Sequence, residues 1–384
     1  MVVHAERLRP YHAPMRVLVT GGAGFIGSHL ADRLLAAGHE VCAYDSLDPQ
    51  VHPTGAPDYL DPAVELIVGD VRDEESLGTA MDDVDAVVHL AAAVGVGQSM
   101  YEIRRYVEVN SVGCAALLEQ LVERRDRVRR LVVASSMSIY GEGQYHDPAT
   151  GEHGLAPGLR PESQLAERRW ELETATGDPL LPERTAEAKP LLPTSVYAVT
   201  KRDHEELCLS VGAAYGVPTV ALRLFNVYGP RQALGNPYTG VAAIFASRLL
   251  NGHAPVAFED GAQTRDFVHV TDVARAFHLA VESDADGAAL NVCTGQPSSV
   301  VDVAHGLAKG LDLSIEPEIV GKYRAGDIRH CIGDPTRAAE LLDFRAAMEV
   351  GTGLGQLAEW LAGQEADDRV EQAMEELRQR GLER

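Results

Sequence analysis

Tyr197 and Lys201 stand four positions apart in the segment YAVTK, and Ser136 closes an apolar run that begins near Arg130. Residues four apart on a helix share one face, so a phenol and an ammonium group are presented together. A free tyrosine titrates near ~10, and it serves as a base at neutral pH only where a cation stabilises the phenolate. Lys201 supplies that cation. A Tyr-x-x-x-Lys pair also arises as a half-buried aromatic beside a lysine whose stem covers it. Ser136 favours the chemical reading, because ligands of open parallel sheets sit outside the carboxyl ends of the strands.

A second group of residues indicates what lies beside that trio. Thr20-Gly21-Gly22-Ala23-Gly24-Phe25-Ile26-Gly27 joins a strand-like run to a helical pattern. Gly21 permits the tight turn, Gly24 lets the backbone approach a pyrophosphate, and Gly27 lets the helix pack against the strand. Glycine-rich loops occur by chance, but here the strand before and the helix after are both present. Phe25 and Ile26, within the motif, belong with the cofactor contacts. Asp45 ends the second strand, where a carboxylate accepts the adenosine ribose hydroxyls and repels a 2′-phosphate; this selects NAD over NADP. Alone it reads as an ordinary turn aspartate. Asp70 and Val71 end the third strand and are placed to meet the adenine edge, although Gly-Asp is also a common turn pair.

The elements that must hold these residues form an α/β pattern. Apolar runs at 16–20, 40–45, 64–70, 85–91 and 130–135 alternate with amphipathic helical stretches, as in a doubly wound parallel sheet of the Rossmann type. A long stretch at about 145–192, rich in Pro, Glu, Gly and Ala, reads as an insertion or loop rather than a strand-helix unit. A helix at about 196–211 and a strand at 218–226 then return to the sheet. The expected organisation is an N-terminal extension (1–14), a Rossmann domain (15–195, carrying the insertion), and a region 196–384. In that last region the remaining Rossmann elements, at about 196–226 and 265–293, are interleaved with a smaller C-terminal mixed α/β substrate-binding domain. A charged helix at about 366–384 ends the chain.

Composition narrows the functional classes. The 384 residues are 45% hydrophobic and 24% charged, with a formal net charge of −23. Such a field repels polyanions, which argues against nucleic acid or an anionic membrane as partner, and leaves any anionic ligand to a few local arginines. Five cysteines lie far apart with no Cys-x-x-Cys, so neither a disulfide framework nor a metal site is expected. The first residues lack a signal sequence, and no apolar run reaches 18 residues, so a cytoplasmic protein is expected.

GGAGFIG, Asp45, GDVRD, HLAA (89–92), ASSMSIYG (134–141), YAVTK, LRLFNVYGPRQ (222–232), RDFVHVTDVA (265–274) and RAGDIRH (324–330) occur in one order along the chain. Together they resemble the extended short-chain dehydrogenase/reductases that act on nucleotide sugars, the NAD-dependent epimerase/dehydratase family. The likeness runs from about Arg16 to Phe344. It implies Tyr197 as catalytic acid/base, Lys201 as the residue that lowers its pKa and holds the nicotinamide ribose, and Ser136 as the hydroxyl bridging sugar and tyrosine. It places Leu90, Ala91, Ala92 and Asn110 among the NAD contacts together with Tyr197 and Lys201, Asn110 supporting the site or capping backbone groups. Asn226, Arg265 and Arg324 are implied at the diphosphate and Asp327 at the nucleotide ribose; Phe258 lines the base pocket or belongs to the core. A homodimer is implied as well, through the helix carrying Tyr197 and the stretch Val107–Val122.

Among the reactions of that family, 4,6-dehydratases follow the active-site hydroxyl with Asp-Glu, and decarboxylases want a glutamate before Val-Tyr-Gly. Met137 and Ser138 stand there instead. Reversible oxidation at C4, and hence 4-epimerisation of a nucleotide sugar, is the simplest remaining chemistry. A net dehydrogenase is an alternative, and a non-catalytic NAD(H) sensor is one from another class, although sensors usually lack the tyrosine or lysine. Ser136 and Tyr197 are 197 − 136 = 61 positions apart, against roughly half that in the family. The insertion between them, with Trp170, Leu172 and PLLP, is expected to dock as a lid or dimer contact, or to be surface decoration. Its arrangement most resembles the dTDP-L-rhamnose 4-epimerase type, which points to a dTDP-6-deoxyhexose, with a UDP-hexose or UDP-hexuronate as the alternative.

Overall fold

The structure is a computed structural model that describes residues 13–236, 238, 240–324, 326–364 and 368–382. Its strands are, in chain order, β1 (Arg16–Thr20), β2 (Glu40–Asp45), β3 (Glu65–Val68), β4 (Ala86–His89), β5 (Arg130–Ser136), β6 (Gln144–Asp147), β7 (Glu152–Leu155) and β8 (Leu181–Thr185). They continue as β9 (Thr219–Leu224), β10 (Asn226–Tyr228), β11 (Val256–Ala257), β12 (Thr264–His269), β13 (Ala288–Val292), β14 (Pro297–Ser299), β15 (Glu318–Ile319) and β16 (His330–Gly333).

Seven of these form a parallel sheet in the order β13-β9-β5-β4-β1-β2-β3. Its central strands are buried on both faces. Val17 and Val19 face one core with Leu30, Val220 and Phe277, while Leu18 faces the other with Leu77, Leu117 and Cys208. Two-sided burial is why the runs read as continuously apolar rather than alternating. Helices Phe25–Ala36 and Val270–Glu282 pack together over the first face; Glu74–Met81, Gly113–Glu123 and Val196–Tyr215 cover the second. The sheet is therefore doubly wound, and every βα loop leaves it at one edge. Among the described residues, no helix is long and apolar enough to cross a membrane.

The second sheet runs β10-β12-β16-β8-β6-β7, with β14 beside β12, and packs under a separate core of Tyr228, Phe245, Phe267, Val303 and Leu357. Three expectations change here. The strand expected at 218–226 divides at Phe225, whose N–H still bonds Val292 O at 3.2 Å while the next residues leave for β12. Residues 265–269, expected in the first sheet, lie in β12 of the second; only the following helix and β13 return. The stretch 145–192 is not a loop but supplies most of β6, all of β7 and β8 and a short helix, Glu162–Ala166. β8 pairs parallel with β16, and β6 pairs antiparallel with β8, so the insertion is built into the second sheet rather than the Rossmann half. The expected helix at 366–384 spans Val370–Gln379, its outermost positions and residues 1–12 of the expected extension lying outside the described residues.

Ion pairs, more than apolar contacts, tie the insertion in. Its own core is only Tyr145, Leu172 and Leu180, with Leu155 against them. Beside it, Arg160 makes a two-pronged bond to Glu259 at 2.9 and 2.8 Å and a third, at 3.2 Å, to the Asp327 carbonyl. Glu171 accepts from Arg329 Nη2 at 2.6 Å and pairs with His330 Nε2 at 3.0 Å. Glu142, fully buried, accepts the Arg329 N–H at 2.8 Å and the Tyr145 hydroxyl at 3.1 Å. Buried charges persist only when paired in this way, because an unpaired one carries its full desolvation cost.

The hydrogen bond with His330, and then Arg329, hold the Glu171 carboxyl down to about 2 against an ordinary 4.5, with burial opposing them. A depressed carboxyl contributes stability that is complete above its unfolded pKa and is lost as pH falls toward the folded one. Glu171→Gln should therefore lower the urea midpoint at neutral pH, and its deficit against wild type should shrink between about pH 5 and pH 3. A deficit independent of pH across that range would disprove the assignment.

Candidate active site

At the carboxyl edge of the parallel sheet lies a cavity of about 690 Å³. Gly21, Gly24, Phe25, Ile26, Gly27, Asp45, Asp70, Val71, Leu90, Ala91, Ala92, Ser136, Tyr197, Lys201 and Asn226 all line it. These residues, scattered over more than half the chain, share one wall system because each follows a strand of the same sheet or opens the helix beyond it.

The glycine turn is closed by contact. Gly21, at φ +69°, donates its N–H to Tyr44 O at 2.8 Å, and a Cβ there would stand 2.9 Å from Ala91 N. A Cβ on Gly27 would meet Gly21 O at 2.3 Å, so turn and helix can be this close only without side chains. At Gly24 the nearest atom to such a Cβ is Gly21 O at 3.3 Å, leaving the backbone open to a phosphate. Asp45 is held by the N–H groups of Ala23 at 3.1 Å and Leu47 at 2.9 Å. Asp70 spends its carboxylate on Arg72, which lines the same cavity. The Asn226 Oδ1 is buried without a partner, a vacancy that suits a polar ligand at the mouth of β10.

The helix Val196–Tyr215 carries Tyr197 and Lys201 to the end of β5, where Ser136 stands. Ser195 caps it by accepting the Ala198 N–H at 3.1 Å, and the Tyr197 N–H donates to Ser99 Oγ at 3.0 Å. Ser136 Oγ accepts from the Ser138 N–H at 3.2 Å and the Ser138 hydroxyl at 2.9 Å. Its own proton is thus free to point at Tyr197. Burial raises the Tyr197 pKa, and the hydrogen bond from Ser136 works against that rise. Burial also lowers Lys201, to about 8. Among the described residues lining the cavity the carboxylates are Asp45 at the end of β2, Asp48 just after it and Asp70 after β3, none beside Ser136, Tyr197 and Lys201.

Three residues behind the trio set its position. Asn110 does not line the cavity, although the family likeness grouped it with the cofactor contacts. It is buried on a π-helical turn, Val107–Val112, where its amide bonds Ala93 N and O at 2.7 and 3.1 Å and Thr200 Oγ1 at 2.9 Å. It ties the loop after β4 to the helix of Tyr197. His204, overlooked in the sequence, sits between Asn110 O at 2.8 Å and Lys201 Nζ at 3.2 Å. The carbonyl fixes the proton on Nε2, so Nδ1 accepts from Lys201; burial, Lys201 and His89 keep the ring neutral, well below its ordinary pKa. Glu205, one turn past Lys201, is buried and accepts from Ser135 Oγ at 2.7 Å and Arg223 Nε at 2.9 Å. Its spacing of four from Lys201 was the available signal.

Arg265, Arg324, Asp327 and Phe258 come together away from the cavity wall. The Arg324 guanidinium lies 4.5 Å above the Phe258 ring and bonds Asp327 at 2.9 Å, and Arg265 stands 3.8 Å from the same carboxylate. Burial favours the neutral acid at Asp327, but the two arginines hold its pKa below the usual range. Arg160 from the insertion bonds the Asp327 backbone, so this cluster and the insertion are one unit.

The chain matches the NAD dependent epimerase/dehydratase family over residues 17–167 and 173–293. It is 35% identical over 356 residues to the dTDP-L-rhamnose 4-epimerase of Burkholderia thailandensis, covering 92% of this chain and 96% of that one. The UDP-glucose 4-epimerase of Thermotoga maritima, solved with UDP-glucose, is 29% identical with a TM-score of 0.74 over 91% of this chain and 99% of that one. The UDP-glucose 4-epimerase of Thermus thermophilus, solved with NAD, is 31% identical with a TM-score of 0.72 over the same shares.

Removing Glu205 strands a buried guanidinium and frees the helix of Tyr197 from β5. Glu205→Ala should cost about 3–5 kcal/mol in a urea titration, the scale for breaking one side of a buried pair. A loss under about 1 kcal/mol, typical of exposed pairs, would show that the pair does not hold the helix.

Proposed function

This chain belongs to the NAD dependent epimerase/dehydratase family and is an NAD-dependent nucleotide-sugar 4-epimerase; from that premise we propose that its substrate is a dTDP-6-deoxyhexose and that Ser136, Tyr197 and Lys201 perform the reaction. The observation that carries the mechanism is the absence of any carboxylate beside the trio among the described residues of the cavity. Elimination of water needs an added acid and base, whereas oxidation and reduction at C4 need only one group that takes and returns a proton.

Tyr197 Oη is that group. It removes the proton of the C4 hydroxyl while Ser136 donates to the developing charge, and it returns the proton when the keto group is reduced. Lys201 stabilises the phenolate, and burial makes the effect of its charge larger than in water. Bound NAD supplies the hydride acceptor and, after the keto sugar turns over, the donor. Gly21, Gly24, Phe25, Ile26 and Gly27 hold its diphosphate, Asp45 its adenosine ribose, and Asp70 and Val71 its adenine edge. Leu90, Ala91 and Ala92 would flank it and Lys201 would hold the nicotinamide ribose, while Asn110 acts through Ala93 and Thr200 rather than by contact. Asn226, Arg265 and Arg324 take the sugar's diphosphate, Asp327 the nucleotide ribose, and Phe258 the base. Guanidinium groups match phosphate oxygens, which is how so acidic a protein can hold a dianion.

The Burkholderia relative supports the dTDP-6-deoxyhexose; the two solved UDP-glucose 4-epimerases favour a UDP-hexose as second reading. The chain works as a cytoplasmic homodimer. Ile103, Val112, Val199 and Leu207, exposed on neighbouring helical segments around the helix of Tyr197, support the dimer, and five buried free cysteines support a reducing compartment.

Product NMR after incubation with dTDP-, UDP-, GDP- and CDP-sugars identifies the substrate; inversion at C4 of dTDP-L-rhamnose is expected, and turnover of UDP-glucose alone would reverse the order of the two readings. Tyr197→Phe should lower kcat by about 10²–10⁴, the scale for losing a general acid/base, with NAD affinity nearly unchanged. Wild-type turnover in that variant would eliminate Tyr197 as the proton carrier.

A further inference from the structure

Directly behind Lys201, four side chains from three elements meet in the core: His89 at the end of β4, Cys114 on the helix Gly113–Glu123, and His204 and Cys208 on the helix of Tyr197. All four are completely buried. The ligand atoms of His89, Cys114 and His204 lie within 4.8 Å of one another; the Cys208 sulfur stands outside that group, 3.7 Å from the Cys114 sulfur. Tetrahedral zinc, with bonds of ~2.3 Å to sulfur and ~2.0 Å to nitrogen, spaces its ligands by roughly 3.3–3.8 Å. The catalytic mechanism uses neither cysteine nor His89.

The outer hydrogen bonds of the two imidazoles are the second observation. Each ring in a metal site usually bonds a fixed partner through one nitrogen and turns the other to the ion. His89 Nδ1 bonds Thr20 Oγ1 at 2.7 Å, and its Nε2 is buried without a partner. His204 Nε2 bonds the Asn110 carbonyl at 2.8 Å, so its inward nitrogen is Nδ1, which without an ion accepts from Lys201 Nζ at 3.2 Å. The rings lie with centroids 5.0 Å apart. Sequence spacing hides this set, since residues 89, 114 and 204–208 form no recognisable ligand motif.

We propose that His89, Cys114 and His204, joined by Cys208 through a small shift from its place beside Cys114, form a closed site for one soft divalent cation of the Zn²⁺ or Cd²⁺ class. Binding exchanges the two thiol protons, released to solvent, for the ion. Two thiolates and one divalent cation are neutral together, so the filled site does not bury a net charge. Soft thiolate ligands select such ions over Mg²⁺ or Ca²⁺. Occupancy takes His204 Nδ1 away from Lys201 Nζ, its partner at 3.2 Å, and therefore inhibits turnover. This last effect rests on the role proposed for Lys201; the binding does not.

Full-length protein kept reduced with a phosphine and freed of metal is titrated with Cd²⁺, following the ultraviolet thiolate-to-cadmium absorption and the bound metal by mass spectrometry. One Cd²⁺ per chain with that absorption is expected, with at least tenfold weaker uptake in Cys114→Ser and in Cys208→Ala. Each variant turns over without cation, and Zn²⁺ should inhibit wild type at least tenfold more strongly than either. Uptake without thiolate absorption, or uptake abolished by His153→Ala at the exposed His146, His153 and Glu183 group, would overturn the site. Equal uptake by wild type and both cysteine variants would do so too. Thiolate-bound Cd²⁺ without inhibition would leave the site standing and instead refute the role of His204 at Lys201.

Discussion

A buried ion pair holds the chemistry of this protein in place. Glu205 and Arg223 are each almost inaccessible, and Glu205 also accepts the hydroxyl of Ser135, the residue before Ser136. The pair therefore joins the helix of Tyr197 to β5 and β9 next to the position where Ser136 must face Tyr197. Arg223 extends the network to the Tyr140 hydroxyl at 2.7 Å, which in turn bonds Asn291 at 2.7 Å on β13. Desolvating these charges is costly, and only a complete set of partners offsets it. The geometry is accordingly rigid, which suits a proton transfer that depends on a hydroxyl being within hydrogen-bond reach.

Lys201 presents the opposite situation. It is buried, and among the described residues no carboxylate pairs with it; its partner is the neutral ring of His204. An ammonium left short of negative charge is poised to stabilise a phenolate, and burial that lowers its pKa to about 8 reflects the same shortage. Asn110 completes this arrangement by joining the loop of Ala93 to Thr200, so the loop after β4 is tied to the helix of Tyr197. The π-helical turn that carries Asn110 re-aims one residue without ending the helix, a recurrent device at functional sites.

The insertion follows a different logic. Its small apolar core could not hold it, and Arg160 and Glu171 attach it to Glu259, Arg329 and His330. Because Arg160 also bonds the backbone of Asp327, the insertion braces the cluster of Arg265, Arg324 and Asp327 instead of covering the cavity as a flap. Charged strands of four or five residues carry little apolar alternation, which is why they read as loop.

Local rules were enough for much of this molecule. The glycine turn needs particular residues at particular spacings, the two-faced burial of β1, β2, β4 and β5 demands uninterrupted apolar runs, and Tyr197 and Lys201 share a face because a helix has 3.6 residues per turn. Those features depend on neighbours in the chain, so the order of residues alone determined the Rossmann half, the glycine turn and the shared helix face of Tyr197 and Lys201. What depended on distant partners was settled only in three dimensions. The departure of β10 and β12 to a second sheet, the strands of the insertion, the pairing of Glu205 with Arg223, the hold of His204 on Lys201 and the meeting of His89, Cys114 and Cys208 leave no period in the sequence. Each joins residues far apart in the chain, and the free energy of such contacts comes from burial and pairing that exist only once the chain has folded.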